Sequence, residues 1–243
     1  MNIIRKLNTV FLFSLIAIFV SSSNEAIGSE NPVAEIVKNT TEVLFDAQQK
    51  NSRNSAVKIK GLLGGHGSGT YAELNGHKVV VTAKHVVDDI EIHYVVTPGG
   101  EKVLGQVVWK SKTKDVAILK IPQLMTRTPV QIQKTDYLNV GQGVLYTGYP
   151  ASYEMLTSRA TVSGFADEYN ATLLQGFVWF GYSGSGVFDS SGKLRAVVVA
   201  IGVESFHGKP QPLESIVYVF EITKDDILEM KKSLEVSLRN NGK

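Results

Sequence analysis

The sequence predicts an all-β protein of two consecutive β-units, preceded by a short helical stretch and closed by a C-terminal helix. Three observations carry that expectation. Short runs rich in β-branched residues recur from about residue 55 to residue 220. Turn-forming clusters separate them, among them Pro98-Gly99-Gly100, 139–143 and 190–193, and such punctuation between short apolar runs marks the hairpins of a sandwich or a barrel. No helical period alternates with the runs, which argues against a parallel sheet with crossover helices.

Taken in order, the chain opens with Arg5 and Lys6, an apolar stretch over 10–20, and the small polar trio Ser21-Ser22-Ser23. This is the layout of a secretory signal peptide, its apolar core shorter than the roughly 20 residues that span a bilayer. Small residues fit cleavage after Ser23 or after Gly28, and an uncleaved N-terminal anchor is the alternative. A signal peptide over 1–28 and an exported, periplasmic or secreted protein are therefore expected. The extension over 29–54 is partly helical: Val33, Ile36, Val37, Val43, Leu44 and Phe45 space a short amphipathic helix that the polar segment 51–55 ends. The first β-unit, 55–132, holds apolar runs at 57–63, 79–82, 90–96, 103–109 and 116–121. The second, 133–222, holds runs at 144–147, 160–162, 173–178, 187–189, 196–201 and 216–220. Over 223–243 the period turns helical through Ile227, Leu228, Met230, Leu234, Val236 and Leu238, with Thr223 as N-cap and Asp225 and Asp226 in the first turn.

Composition narrows the functions. With 243 residues and 43% hydrophobic content the chain can bury a sizeable core. A net charge of +2 and the lack of a dense basic run argue against a nucleic-acid partner. There is no cysteine, which excludes disulfides, thiolate metal sites and a cysteine nucleophile. His66, His77, His93 and His207 share no metal-ligand spacing and read as structural or solvated. No metal or organic cofactor is implied, nor a membrane span once the signal is removed.

The chemistry is carried by an ordered trio: His85 in Thr82-Ala83-Lys84-His85, Asp115 in Asp115-Val116-Ala117, and Ser183 in Gly181-Tyr182-Ser183-Gly184. A serine hydroxyl is a poor nucleophile unless a histidine takes its proton and a carboxylate orients that histidine. His85 leaves an apolar strand, Asp115 precedes another, and the glycines around Ser183 let backbone N–H groups of Gly181 and Ser183 turn toward a reacting carbonyl. Ser185 is a rival nucleophile, but Ser183 and Val187 stand where a G-x-S-x-G elbow needs glycines.

These motifs resemble the trypsin-like, chymotrypsin-fold serine proteases, above all the HtrA-like and glutamyl-endopeptidase-like bacterial branches. Gly67-Ser68-Gly69-Thr70 is similar to their G-S-G strand, Thr82–Val87 to their T-A-x-H-V-V, and Asp115–Lys120 to their D-V-A-V-L-K. Val140–Pro150 is similar to V-G-x-x-V-x-x-x-G-x-P, Thr161–Gly164 to the strand after it, and Gly181–Ser185 to G-N-S-G-S. The resemblance covers about residues 56–202. It implies two packed six-stranded antiparallel barrels of the chymotrypsin type and a serine endopeptidase acting on polypeptides through an acyl-enzyme. Ser183 would be the nucleophile, His85 the base and acid, Asp115 the orienting carboxylate, and the Gly181 and Ser183 amides the oxyanion hole.

The departures set further expectations. Tyr182 stands where digestive relatives have an Asp that pairs with a freed N-terminus, so activation through that ion pair is not expected; nor is it the bacterial Asn. Gly186 replaces a Pro or Ala and leaves the loop freer. Phe177, Val198, Val199 and Ala200 would line the pocket for the residue before the scissile bond, giving an apolar preference; the other reading of 198–201 is plain core strand. Only a helix follows the second unit, which implies a protease unit without a peptide-binding PDZ domain. A catalytically silent peptide- or protein-binding member of the fold is the alternative function; an esterase built on Ser185 fits neither the all-β pattern nor the His-Asp-Ser order. The oligomeric state is not readable.

Overall fold

A computed structural model describes residues 47–240, apart from 62–64, 89, 135 and 207–208. The expected signal peptide and most of the extension, including nearly all of its expected helix, lie outside the described residues, as does His207. A nine-residue helix α1 (Ala47–Ser55) leads into β1 (Ala56–Lys60). The first barrel continues with β2 (His66–Leu74), β3 (His77–Thr82), β4 (Ile92–Val96), β5 (Lys102–Lys110) and β6 (Ala117–Lys120). Its antiparallel strands run β1-β4-β5-β6-β3-β2 and close through the β1–β2 pair, with the two-residue β7 (Val130–Gln131) added parallel to β2. The second barrel comprises β8 (Gly143–Gly148), β9 (Leu156–Ala166), β10 (Ala171–Gly176), β11 (Gly186–Asp189), β12 (Leu194–Phe206) and β13 (Lys209–Glu221). It closes in the order β10-β13-β12-β11-β8-β9. The expected pair of six-stranded antiparallel barrels is the architecture observed.

Strand alternation explains why the runs are apolar without a polar phase. On β3, Val80 enters the first barrel's interior with Val57, Ile59, Tyr71 and Leu119, while Val79 and Val81 face a second core with Ile118, Leu145, Phe188 and Val197. On β12, Ala196 and Val198 enter the second barrel's interior, and Val197 and Val199 join that shared core. A strand buried on both faces needs apolar residues at consecutive positions. Both barrels thus pack on one core, and α2 (Lys224–Asn240) covers its open side with Ile227, Met230 and Leu234. Burying each such side chain contributes about 1.5–3 kcal/mol. The helix starts as expected: Thr223 Oγ1 accepts the Asp226 N–H at 3.3 Å and Asp226 Oδ2 accepts the Thr223 N–H at 2.8 Å, a reciprocal cap.

Two local expectations differ from the structure. The polar segment 51–55 belongs to α1 rather than ending a helix. Its side chains are spent on the second barrel, Asn51 Nδ2 donating to Gly192 O at 2.9 Å and Ser52 Oγ to Thr147 Oγ1 at 2.7 Å, so tertiary bonds override weak helix propensity. His66 does not lie in a loop but opens β2, a buried strand whose glycines concealed it from an apolar-run reading.

Candidate active site

Pairing of β3 with β6 sets Thr82 beside Ala117, so the chain leaving one strand and the chain entering the other run side by side. Beyond Thr82, Ala83 is extended and a single 3-10 turn, Lys84–Val86, lifts His85 between buried Ala83 and Val87. Before Ala117, the 111–116 segment delivers Asp115. The outcome is a direct pair: His85 Nδ1 lies 2.5 Å from Asp115 Oδ2, and the His85 backbone N–H donates to Asp115 Oδ1 at 2.8 Å. Nδ1 donates to the carboxylate, which leaves Nε2 free to accept a proton. The Asp115 bond raises the His85 pKa above its ordinary value against the opposing effect of burial, and Asp88 adds to the rise. Burial pushes the Asp115 carboxyl up, but the His85 ring and backbone donors outweigh it and hold the group below its ordinary value.

Ser183 arrives from the other barrel. Its carbonyl accepts the Ser68 N–H at 2.7 Å, and the Gly184 N–H donates to Val198 O at 2.7 Å. Gly184 has φ +92, and a Cβ there would sit 1.9 Å from Ser68 O. Only glycine permits this approach of the Ser183 loop to β2. Ser68 O in turn accepts the Thr82 hydroxyl at 2.7 Å, so one residue, through its N–H and its carbonyl, ties the serine loop to the strand end that leads to His85. Ser183, His85, His66, Val86, Phe180 and Gly181 line one cavity of about 410 Å³. The bonds of His85 go to Asp115 and none joins it to Ser183; catalytic hydrogen bonds are commonly long before substrate is bound.

The amide of Gly181 is oriented from behind. Phe180 O accepts the Ala151 N–H at 2.7 Å, and in a trans peptide the N–H points opposite to its carbonyl, so the Gly181 N–H faces away from Ala151. Gly181 O is held by the Ser68 hydroxyl at 2.6 Å. Gly181 has φ +102, and a Cβ would lie 2.3 Å from Tyr149 O. Among the described residues neither the Gly181 nor the Ser183 amide has a protein acceptor, which leaves two donors for a developing oxyanion.

Tyr182 is fully buried, its ring edge-on to Tyr146 and Phe177 and its hydroxyl 2.9 Å from Ser158 Oγ. It roots the loop in the second barrel without any charge. Gly186 does not loosen the loop: it opens β11, its N–H donates to Thr70 Oγ1 at 2.9 Å, and a Cβ would lie 2.3 Å from that oxygen. Ser185 is wholly buried and its Oγ has no partner.

Of the expected substrate-binding residues, Val199 and Ala200 line a second cavity of about 340 Å³ that also touches Asp115, Ile201, Tyr169 and Tyr218. A bulge between Val198 and Ala200 resets the alternation there. Val198 is buried in the second barrel's interior, where alternation turns it inward. Phe177 is 49% exposed, with its ring against Tyr182. Sequence reasoning missed His66, whose Nε2–H donates to Tyr149 O at 2.8 Å on the wall of the Ser183 cavity. The available signal was period two: His66, Ser68 and Thr70 share one face of β2, and each bonds the second barrel.

Two closed barrels sharing a core, with a His–Asp pair on one and a glycine-flanked serine on the other, define the architecture of a chymotrypsin-type serine peptidase. The trypsin-like peptidase domain matches residues 67–197, more than half of the chain, and the chain belongs to that family. A Serine protease Do-like HtrA of Lactobacillus helveticus is 27% identical over 134 residues, 55% of this chain and 28% of that protein. Among solved structures, the serine endoprotease from Yersinia pestis superposes with TM-score 0.61 at 20% identity, covering 78% of this chain and 66% of that one. The HtrA-type protease AlgW with a tripeptide gives TM-score 0.61 at 18% identity, covering 77% and 62%. The chain thus spans about a quarter of the length of the curated relative and less than two thirds of these solved chains.

Proposed function

We propose that the protein is an exported serine endopeptidase in which Ser183 is the nucleophile, His85 the general base and acid, Asp115 the orienting carboxylate, and the Gly181 and Ser183 amides the oxyanion hole. The observation that carries this is the His85–Asp115 pair at 2.5 Å, opening Nε2 toward the cavity that Ser183 shares. Ser183 Oγ attacks the scissile carbonyl while Nε2 takes its proton, and the two amides hold the oxyanion. Nε2 then returns the proton to the leaving amine, and water repeats the sequence on the acyl-enzyme. Family membership supports the reaction class, and the Arg5-Lys6 leader pattern supports export.

The peptide would bind as an extended strand. From Val199 onward β12 keeps β13 on one side, whereas its pairing with β11 ends at Val197. That free edge lies beside the cavity containing Asp115 and Ala200, where an added strand can hydrogen-bond. The apolar lining favours an apolar side chain over a charged one, which would lose its hydration unpaired. AlgW was solved with a tripeptide and with a decapeptide, and peptide binding by this chain is the corresponding proposal.

Fluorophosphonate labelling tests the assignment. Labelling is expected to survive Ser185→Ala and to vanish in Ser183→Ala. Folded wild-type protein that stays unlabelled and cleaves no peptide library would replace this reading by a catalytically silent binder.

A further inference from the structure

The segment that delivers Asp115 has little to hold it from within. Ser111 N donates to Val116 O at 2.9 Å, and the N–H groups of Thr113 and Lys114 reach Ser111 Oγ only at 3.4 and 3.2 Å. Beyond buried Val116 and the His85 N–H on Asp115, the segment is anchored from outside by the Lys114 side chain. The ammonium lies 2.7 Å from Asp226 Oδ2 and 3.0 Å from the carbonyl of Glu221, with both charged side chains only 11% exposed. The same Asp226 oxygen accepts the Thr223 N–H at 2.8 Å and the Thr223 hydroxyl at 2.6 Å. The carboxylate that caps α2 is therefore also the socket for the residue next to Asp115. The helix is itself fixed by Ile227, Met230 and Leu234 in the shared core, and by Trp109 Nε1–H donating to Glu229 Oε2 at 3.2 Å from β5.

We infer that Lys114 and Asp226 are positioning residues that join the first turn of α2 to the Asp115 segment, so that the C-terminal helix sets the geometry of the His85–Asp115 pair. This rests on the reading of Asp115 as the orienting carboxylate. One residue reaches back to the helix while the next reaches forward to the imidazole. A buried ion pair that gained nothing from position could be replaced by apolar groups at little cost; here its loss frees the segment on which a 2.5 Å contact depends.

The test reads His85 itself, so that it does not require peptide cleavage. In protein carrying 13C-labelled histidine, the Cε1 resonance of His85 is titrated in wild type, Lys114→Met, Lys114→Arg and Asp226→Asn, and again in a Ser183→Ala background. The charged groups acting on His85 are Asp115 and Asp88, the latter paired with Lys110 at 3.3 Å, and His66 lines the same cavity; no variant alters any of them. Removing the Lys114 cation acts through its field to move the His85 midpoint upward and removing the Asp226 anion acts to move it downward, whereas loosening Asp115 moves it downward in both, so Lys114→Met is the decisive variant. A fall of about 0.5 unit or more in both Lys114→Met and Asp226→Asn, with Lys114→Arg restoring the wild-type value, is expected. Peptide turnover should drop up to about 100-fold in kcat, the scale of a roughly 1 Å misplacement, with KM within about twofold. Should Lys114→Met fail to fold, the double variant Lys114→Met with Asp226→Asn carries the same expectation: the paired charges leave together, so their fields cancel and only a loosened Asp115 lowers the midpoint. An unchanged or raised His85 midpoint in folded variants overturns the inference, even where the urea midpoint falls. A wild type that never cleaves peptide, with the midpoint shifts intact, overturns the proposed function and leaves the coupling standing.

Discussion

Two serines two positions apart should respond oppositely to the same change. Ser185 Oγ is buried and unpartnered. It lies near the Ser68 hydroxyl: a methyl on Gly148 would sit 2.1 Å from Ser185 Oγ and 2.6 Å from Ser68 Oγ. Yet Ser68 donates its proton to Gly181 O and accepts the Tyr149 N–H at 2.9 Å, and Ser185 Oγ makes no bond to it. An unpaired buried hydroxyl costs about 1–3 kcal/mol. Deleting one oxygen opens a void of roughly 10–20 Å³, which at about 24 cal/mol per Å³ returns less than ~0.5 kcal/mol of that. Ser185→Ala should therefore stabilise the protein by about 0.5–2.5 kcal/mol, raising Tm by roughly 1–10 °C for a chain of this size, with turnover intact. Ser183, partly exposed and with no side-chain bond to protein, should leave stability within about 0.5 kcal/mol on mutation to Ala and cost about 10⁶-fold in kcat. Urea unfolding with parallel single-turnover assays reads both. A Ser185→Ala protein that unfolds earlier or loses activity, or a Ser183→Ala protein that keeps turning over, refutes the reasoning.

Because Nε2 must be unprotonated to act as base, and Asp115 raises the His85 pKa, the acid limb of kcat/KM should have its midpoint above the ordinary imidazole value of about 6.5. Asp115→Asn should move that limb to lower pH and reduce kcat about 10⁴-fold; a limb that stays in place shows another group to be titrating. Gly184→Ala, with φ +92 and a Cβ 1.9 Å from a backbone carbonyl, should cost about 1–2 kcal/mol for the backbone alone and more for displacing Ser68. Its denaturation midpoint should drop and fluorophosphonate labelling slow, and wild-type behaviour in both would remove the close approach from the account.

The strands were legible where both faces are buried, because Val79–Val81 and 196–199 leave no polar phase to misread. The long strand β2 was not legible as an apolar run and was marked only by the resemblance of Gly67–Thr70 to a G-S-G strand. Its Gly67 and Gly69 leave room for Val86, Val80 and Ile59, and its His66, Ser68 and Thr70 look polar and solvated in one dimension. Their partners lie 81 or more positions away in the chain. The role of Tyr182 was equally hidden. In sequence it is an odd residue beside a nucleophile; in space its ring replaces an ion pair by edge-on aromatic packing and one hydroxyl bond. Nothing local in the sequence shows that Lys114 is received by the cap of a helix 112 residues later.

These hidden contacts share a cause. A serine from one barrel and an imidazole from another can hold a reactive geometry only if the barrels cannot slide, and apolar packing, being non-directional, limits separation better than sliding. Here the shared core fixes the distance, while a row of directional bonds from one face of β2 fixes the register: His66 to Tyr149, Ser68 to Gly181 and Ser183, and Gly186 to Thr70. The row alternates with Gly67 and Gly69, whose missing side chains leave room on the opposite face for Val86, Val80 and Ile59. On that argument the G-S-G segment is not an appendage of the histidine strand. It is the element through which the first barrel aligns the nucleophile loop, and a polar-to-apolar change at Ser68 should misplace the Gly181 amide without touching His85 or Asp115.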